Sequence, residues 1–96
     1  MEPLTRDEFK KAAECLRVLA HPHRLEMLSL LLEQRMTVGE LGSRCGVASA
    51  VCSEHLRTME RCGFLTSERD GRFVFYSVCE PQIKNILSCM RKKFKE

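Results

Sequence analysis

Long apolar runs are absent from this sequence. None approaches the roughly 18 residues that a membrane-spanning helix needs, so we expect no membrane partner. The first eight residues (MEPLTRDE) are acidic and polar, whereas a secretory signal begins with basic residues and continues with an apolar stretch. We therefore expect a cytoplasmic protein.

The motifs of common enzyme classes are also missing. The sequence contains no glycine-rich phosphate-binding loop, no motif of paired carboxylates, and no Cys/His pair with a supporting catalytic pattern. Internal repeats, linkers and low-complexity segments are absent too. We therefore expect a protein that is not an enzyme.

The six cysteines include no C-x-x-C pair, so neither a zinc ribbon nor a thioredoxin-type motif fits the sequence. A disulfide scaffold is not expected, because the cytosol is reducing and the helical patterns already supply a core. The cysteines are Cys15, Cys45, Cys52, Cys62, Cys79 and Cys89.

The length of 96 residues and a hydrophobic content of 44 % indicate one folded domain over residues 1–96. Charged residues make up 30 % of the chain, and the net charge is +3. A chain this short buries only about 60–65 % of its unfolded surface, so dimerisation would add useful burial.

Four helices are predicted in the first two thirds of the chain. Capping boxes at residues 5–8 (TRDE) and 37–40 (TVGE) begin the first and third helices, and Pro22 begins the second. Gly46 ends the third helix, and a fourth spans about residues 49–62. Two helices separated by a tight glycine-containing turn predict a helix-turn-helix.

A β-hairpin and a last helix complete the predicted domain. Residues 64–68 and 72–78 favour strands on either side of Asp70-Gly71, a strong hairpin signal. Pro81 begins a fifth helix with an apolar stripe. The fold class is mainly α with a small β-hairpin: a winged helix-turn-helix with five helices and a two-stranded wing.

Several ordered motifs resemble those of the ArsR/SmtB-type winged-helix repressors. Residues 19–28 (LAHPHRLEML) resemble the family's L-A-x-P-x-R-L-x-I-L pattern, and residues 37–41 (TVGEL) resemble the start of its third helix. Residues 53–56 (SEHL) with 62–65 (CGFL) are similar to its recognition-helix pattern, and 69–72 (RDGR) to its wing. The resemblance covers roughly residues 9–94.

The resemblance implies a homodimer that packs through the terminal helices, about residues 6–20 and 81–95. It further implies two recognition helices on a palindromic double-stranded DNA operator, repression by promoter occlusion, and release by a metal ion or a thiol-reactive signal.

The sensor positions known in the family are mostly not filled. The arsenite-binding thiolates would fall at Thr37, Gly39 and Gly42, and the persulfide-sensing cysteine of the second helix falls at Ser29. Residues 80–96 contain no His or Asp for the zinc site of the last helix. In the cadmium/lead pattern only Cys62 matches. The inducer is therefore left open.

The fourth helix carries the main candidates for DNA contact. Ser49, Ser53 and Arg57 lie along its outward face, where hydroxyl groups contact phosphates and arginine pairs with guanine. The alternative is a solvated face with Arg57 paired to Glu54 or Glu60.

Three further residues are candidates for contact with DNA. Arg69 and Arg72 flank the hairpin turn and would reach the DNA backbone or minor groove, or simply serve the turn. His55 either contacts phosphate or braces the fourth helix against the core.

The cysteines divide into two groups by position. Cys45, Cys52 and Cys62 occupy positions that the pattern makes apolar, so we expect them to be packing residues. The better sensor candidates, near the expected dimer seam, are Cys15, Cys79 and Cys89, whose thiolates would bind a soft metal or metalloid ion or form a disulfide. The alternative is that all six are packing residues and that no inducer exists.

Two alternatives remain open at this point. His21 and His23 could hold a metal, but no third ligand is adjacent, and ordinary helix-entry roles are favoured. A winged helix can also be a protein-docking module without DNA specificity, which would require a large apolar outer face on the fourth helix.

Overall fold

The structure is a computed structural model that describes residues 1–95. Five helices and three short strands follow one another within these residues. The elements are α1 (Arg6–Leu19), α2 (Pro22–Glu33), β1 (Met36–Thr37), α3 (Val38–Cys45), α4 (Ser49–Arg61), β2 (Leu65–Asp70), β3 (Phe73–Val78) and α5 (Gln82–Lys95). The predicted winged helix-turn-helix architecture is confirmed.

The helix starts follow the predicted capping chemistry. Thr5 Oγ1 accepts a hydrogen bond from the Glu8 amide at 3.1 Å, and the Thr5 amide donates to Glu8 Oε1 at 2.9 Å. Thr37 and Glu40 repeat this arrangement at 3.2 and 2.9 Å. Both capping boxes therefore satisfy backbone amides that would otherwise lack partners at a helix N-terminus.

The sheet has three antiparallel strands in the order β1-β3-β2, one more than predicted. The additional strand has only two residues, and Met36 lies opposite Tyr76 on β3 with both side chains buried. A two-residue strand is too short to show an alternating pattern, so the sequence did not reveal it. It joins the wing to the helix-turn-helix.

The hairpin turn lies one residue later than predicted. Asp70 pairs with Phe73, so the two-residue loop is Gly71-Arg72. Gly71 has a φ of +64°, which favours glycine at the first position of such a loop. The turn therefore places Arg72 at the tip of the wing.

The fourth helix ends at Arg61, one residue before the predicted boundary. Cys62 follows it as the C-cap and is exposed, so the expectation that this cysteine packs in the core was wrong. Cys62 lies beyond Met59, the last buried residue of α4, and the chain turns away directly after it at Gly63, which has a φ of +84°. Cys52 is fully buried and Cys45 is half-buried.

The core lies where α2, α3, α4 and the sheet meet the start of α5. Its fully buried side chains are Met27, Leu28, Leu41, Cys52, Leu56, Met59 and Ile83. The terminal helices instead leave large apolar side chains exposed, namely Phe9 and Leu16 on α1 and Met90 and Phe94 on α5. Within the described residues, no helix is long and apolar enough to cross a membrane.

The turn between α3 and α4 depends on a close backbone approach. Gly46 ends α3 in the left-handed region, at φ +67°, and the Val47 amide donates to the Gly42 carbonyl at 2.9 Å. A Cβ atom on Gly42 would lie 2.9 Å from the Val47 carbonyl oxygen. Only glycine therefore fits at position 42 without a shift of the backbone of the turn.

Replacement of Gly42 by alanine should destabilise the fold, and the matched variant Gly39→Ala should not. Gly42→Ala forces the turn open and should lower the free energy of unfolding by about 1–3 kcal/mol. A Cβ on Gly39 meets only Thr37 Oγ1 at 3.9 Å, so Gly39→Ala should leave stability unchanged or raise it by up to about 1 kcal/mol. Urea denaturation measures the stability of both variants. Equal stability would show that the turn tolerates a Cβ atom at position 42.

Candidate nucleic-acid interface

Helix α4 is held by one face and presents the other to solvent. Its inner face buries Cys52, His55, Leu56 and Met59. The Cys52 thiol lies 3.7 Å from the carbonyl oxygen of Val38 on α3 and donates to it. The opposite face is therefore the surface that the helix-turn-helix offers to a partner.

The N-terminal end of α4 is exposed to solvent and has no side-chain cap. Ser49 and Ala50 are exposed and Ser53 is half-buried, while the N-cap residue Ala48 forms no side-chain cap. The first amides of a helix carry a partial positive charge and donate hydrogen bonds to anions such as phosphate. Ser49 and Ser53 therefore lie at the end of the helix that suits contact with a phosphate backbone.

Arg57 lies on the exposed face and pairs with Glu54 at 3.1 Å between Nη2 and Oε2. Both side chains are more than half exposed, at 51 % and 62 %, and pairs three residues apart stabilise a helix by only about 0.2–0.5 kcal/mol. The guanidinium group of Arg57 is therefore free to exchange its partner for a guanine or a phosphate at little cost.

His55 is buried, with 8 % of its surface exposed, and it braces α4. Arg24 Nε on α2 donates to His55 Nδ1 at 3.0 Å, and Arg24 Nη1 donates to the carbonyl oxygen of Val18 on α1 at 3.0 Å. Of the two interpretations of His55, this geometry favours the brace. Sequence reasoning missed the role of Arg24, although that arginine belongs to the pattern at residues 19–28.

Burial lowers the pKa of His55, and the neighbouring His21, Arg24 and His23 lower it further, while Glu54 opposes the shift. The ring centroid of His55 lies 4.5 Å from that of His21 and 6.2 Å from that of His23. A protonated His55 would lose its acceptor atom and meet the cation of Arg24. The neutral imidazole is therefore the form that the brace requires.

The wing presents Arg69 and Arg72, both of which are exposed. Arg69 lies on β2 opposite Val74, and the guanidinium carbon of Arg72 lies 5.2 Å from the centroid of the Phe73 ring. Sequence reasoning missed Arg35, which contacts both strands of the wing. No local pattern links Arg35 to them, because its carboxylate partners lie 33 and 35 residues away along the chain.

The thiols differ in their environment. Burial, with a second contribution from Glu26, raises the pKa of Cys45 to about 11, and burial also raises the pKa of Cys52. These two thiols are therefore poor nucleophiles and poor metal ligands at neutral pH.

The other cysteines are more accessible. Cys62, Cys79 and Cys89 are exposed, and Cys15 is half-buried on α1. The Cys79 thiol lies 3.4 Å from the carbonyl oxygen of Gly63, the residue after Cys62. The end of β3 therefore lies beside the end of α4, and Cys79 is a neighbour of that segment.

No metal centre is formed within residues 1–95 of the protomer, since no three His, Cys, Asp or Glu side chains are grouped to hold an ion. His21 instead caps α2: its Nδ1 atom accepts the His23 amide at 3.2 Å. The candidates Cys15, Cys79 and Cys89 are not brought together as a group in one protomer. A site made from them would need thiols of a second protomer.

Sequence comparisons place this geometry among known regulators. A family model described as a helix-turn-helix domain matches residues 19–68. An uncharacterized HTH-type transcriptional regulator of Mycobacterium tuberculosis is 39 % identical over 95 % of this chain and 77 % of that protein. The HTH-type transcriptional repressor SmtB of the same species is 33 % identical over 88 % of this chain and 63 % of SmtB.

Solved structures agree with the fold. NolR from Sinorhizobium fredii superposes with a TM-score of 0.87 at 28 % identity, covering 98 % of this chain and 97 % of that one. A homodimeric winged helix-turn-helix DNA-binding domain from Mycobacterium bovis, described as a possible ArsR-family regulator, has a TM-score of 0.81 at 18 % identity over 100 % and 94 % of the chains. This second likeness shows the fold alone.

The brace, namely the hydrogen bond from Arg24 to the neutral His55 ring, predicts that acid destabilises the protein. The unfolded histidine takes up its proton near pH 6.5, and the folded one does so only at lower pH, so the unfolded state binds more protons between the two values. The free energy of unfolding should therefore fall as the pH drops below about 6.5. Urea denaturation at pH 7.5 and 5.5 measures this change.

The control is His55→Gln, whose amide oxygen can still accept from Arg24 but does not titrate. The stability of this variant should fall less than that of the parent between the same two pH values. The other histidines are present in both proteins, so the difference isolates His55. An identical fall in both would show that the brace is not the acid-sensitive interaction.

Proposed function

The chain belongs to the ArsR/SmtB-type winged helix-turn-helix transcriptional regulators, and we propose that it represses transcription as a homodimer that occludes a promoter. One observation carries the assignment of the DNA-contacting surface. Helix α4 buries one face in the core and exposes a polar opposite face next to a wing with two exposed arginines.

The terminal helices support the homodimer. Phe9 and Leu16 on α1 and Met90 and Phe94 on α5 are exposed by 37–75 %, although they belong to the apolar stripes of their helices. A monomer of this size rarely exposes so many large apolar side chains on its two terminal helices. A second copy of the chain would cover them, which agrees with the expected seam at about residues 6–20 and 81–95.

The two-fold symmetry of the proposed dimer determines the symmetry and the half-site spacing of its operator. Two copies of α4 related by a two-fold axis would enter successive major grooves on one face of the duplex. Their half-sites would then be centred about 10 base pairs, or about 34 Å, apart. We therefore propose a palindromic operator, on which Ser49, Ser53 and Arg57 contact the DNA from α4, and Arg69 and Arg72 contact it from the wing.

The rival function is a winged helix that binds only proteins. Such a module would present an apolar outer face on α4, but Val51 is the only large apolar side chain exposed on this helix. The exposed residues around it are polar or small. DNA retention that falls steeply with salt separates the two functions, because phosphate binding releases counterions.

Substitutions on α4 and on the wing should affect DNA binding differently. Ser53→Ala and Arg57→Ala should each lower affinity for a selected duplex by about 5–100-fold, equivalent to about 1–3 kcal/mol, with a smaller effect on random-sequence DNA. Arg72→Ala should weaken both alike and reduce the salt slope by about 0.9 for each phosphate that the variant no longer neutralises. Unchanged binding by both α4 variants would show that another surface recognises the DNA.

A chemical signal, if it acts on this repressor, acts through thiols. We propose that Cys15, Cys79 and Cys89 bind a soft ion such as As(III) or Cd(II), or react with a thiol-specific oxidant, at the seam between two protomers. The exposure of Cys79 and Cys89, together with the raised pKa of Cys45 and Cys52, supports this choice, while Cys15 is half-buried on the helix of the proposed seam. A coupling of about 1–3 kcal/mol would change DNA affinity about 5–150-fold.

The thiol proposal predicts release of the protein–DNA complex by arsenite, cadmium or a persulfide donor. Gel-shift titration of the parent measures this release, and the same titration is repeated with Cys15, Cys79 and Cys89 all replaced by serine. The triple variant should stay bound. Release that survives the triple replacement, or release by zinc alone, would refute the thiol route.

A further inference from the structure

Arg35 contacts both strands of the wing from the segment that follows α2. Its Nη1 lies 3.0 Å from Glu68 Oε1, and its Nη2 lies 3.4 Å from Asp70 Oδ2, both on β2. Its guanidinium carbon lies 4.0 Å from the centroid of the Phe75 ring on β3. One side chain therefore holds three residues of the hairpin.

The register of the hairpin explains why one guanidinium reaches all three groups. Glu68 and Asp70 are two residues apart on β2, so their side chains point to the same face of the sheet. Phe75 is the cross-strand partner of Glu68 and lies on that face as well. The planar group of Arg35 stacks on the ring while its two ends donate to the two carboxylates.

Apart from Arg35, Glu60 on α4 also holds the outer half of the wing: its Oε2 atom accepts a hydrogen bond from the Ser67 hydroxyl at 2.6 Å. Residues 66–73 are all exposed, and the short strand β1 pairs only with the inner part of β3, at Tyr76 and Phe75. Arg35 is the residue that reaches Asp70, the last residue before the turn. Beyond Ser67, the direction of the wing tip relative to α4 therefore depends on this arginine.

The ion pairs of Arg35 also determine on which face of the wing the carboxylates of Glu68 and Asp70 lie. Glu68 and Asp70 alternate along β2 with Arg69, whose side chain points to the opposite face. Arg35 holds both carboxylates on the face away from Arg69. A wing without this clamp would carry two mobile carboxylates close to the phosphates that Arg69 and Arg72 are proposed to contact.

We propose that Arg35 is a positioning residue for DNA recognition: it clamps the wing through Glu68, Asp70 and Phe75, so that Arg72 reaches the DNA backbone. This inference rests on the proposed function, namely that the wing contacts DNA. Arg35 itself touches no DNA in this scheme. The clamp predicts a defect in DNA binding without a defect in folding, because exposed ion pairs contribute little to stability.

The test compares Arg35→Met with the matched variant Arg44→Met. Both replace one arginine, but Arg44 on α3 is exposed and makes no ion pair among residues 1–95, and it lies outside the seam, α4 and the wing. The probe is a 40-base-pair duplex selected by the parent protein from a random pool. Affinity is measured at several salt concentrations, thermal unfolding is followed in parallel, and backbone 15N relaxation reports the order of residues 66–73 in the free protein.

Arg35→Met should bind the duplex about tenfold more weakly than Arg44→Met, with a salt slope smaller by about 0.9 for each phosphate that the wing no longer neutralises. Its residues 66–73 should become more mobile, and its thermal midpoint should match that of the control. Arg35→Lys should be intermediate, because an ammonium group cannot bridge two carboxylates and stack on the ring.

The variant Arg35→Met/Glu68→Gln/Asp70→Asn separates positioning from charge repulsion, because it removes the carboxylates without restoring the clamp. It should recover only part of the affinity that Arg35→Met loses, because the repulsion by the carboxylates ends while the wing stays unclamped. Full recovery of affinity in this variant, or equal affinity of Arg35→Met and Arg44→Met, would overturn the positioning role. Failure of the parent protein itself to bind any duplex would instead refute the proposed function, and the relaxation data would still test the clamp.

Discussion

Arg24 links three helices through one planar side chain. Its Nε atom donates to His55 on α4, and its Nη1 atom donates to the carbonyl oxygen of Val18 near the end of α1. Since the guanidinium group is rigid, these two bonds set the position of α4 relative to α1. The proposed recognition surface is thereby connected to a helix of the proposed dimer seam, and the separation of two recognition helices in a dimer depends on this link.

The distribution of charge agrees with recognition by shape and placement rather than by net charge. The excess positive charge lies on α5, where Arg91, Lys92, Lys93 and Lys95 follow one another closely. On α4 the arginines alternate with Glu54 and Glu60, so this helix has no strong field of its own. The proposed DNA recognition therefore depends on the placement of a few side chains. The brace at His55 positions those on α4, and the clamp at Arg35 positions those on the wing.

Features that depend on a few neighbouring residues were predictable from the sequence, and features that depend on distant partners were not. The capping boxes, the glycine stop at Gly46 and the hairpin were predicted because each is encoded within about four residues. The strand β1 is defined only by its pairing with β3. Arg35 meets its carboxylate partners 33 and 35 residues away, and no periodic pattern indicates such an interaction. Candidate side chains on α4 were identified, whereas the buried position of His55 required its partner Arg24.

In the proposed complex, two copies of α4 contact one face of a DNA duplex. Hydroxyl-radical footprinting of the full chain on a duplex selected from a random pool shows whether they do. We expect two protected segments whose centres lie about 10 base pairs apart, a separation of one helical turn. A single protected segment, or two segments on opposite faces of the duplex, would show that two copies of α4 do not bind side by side.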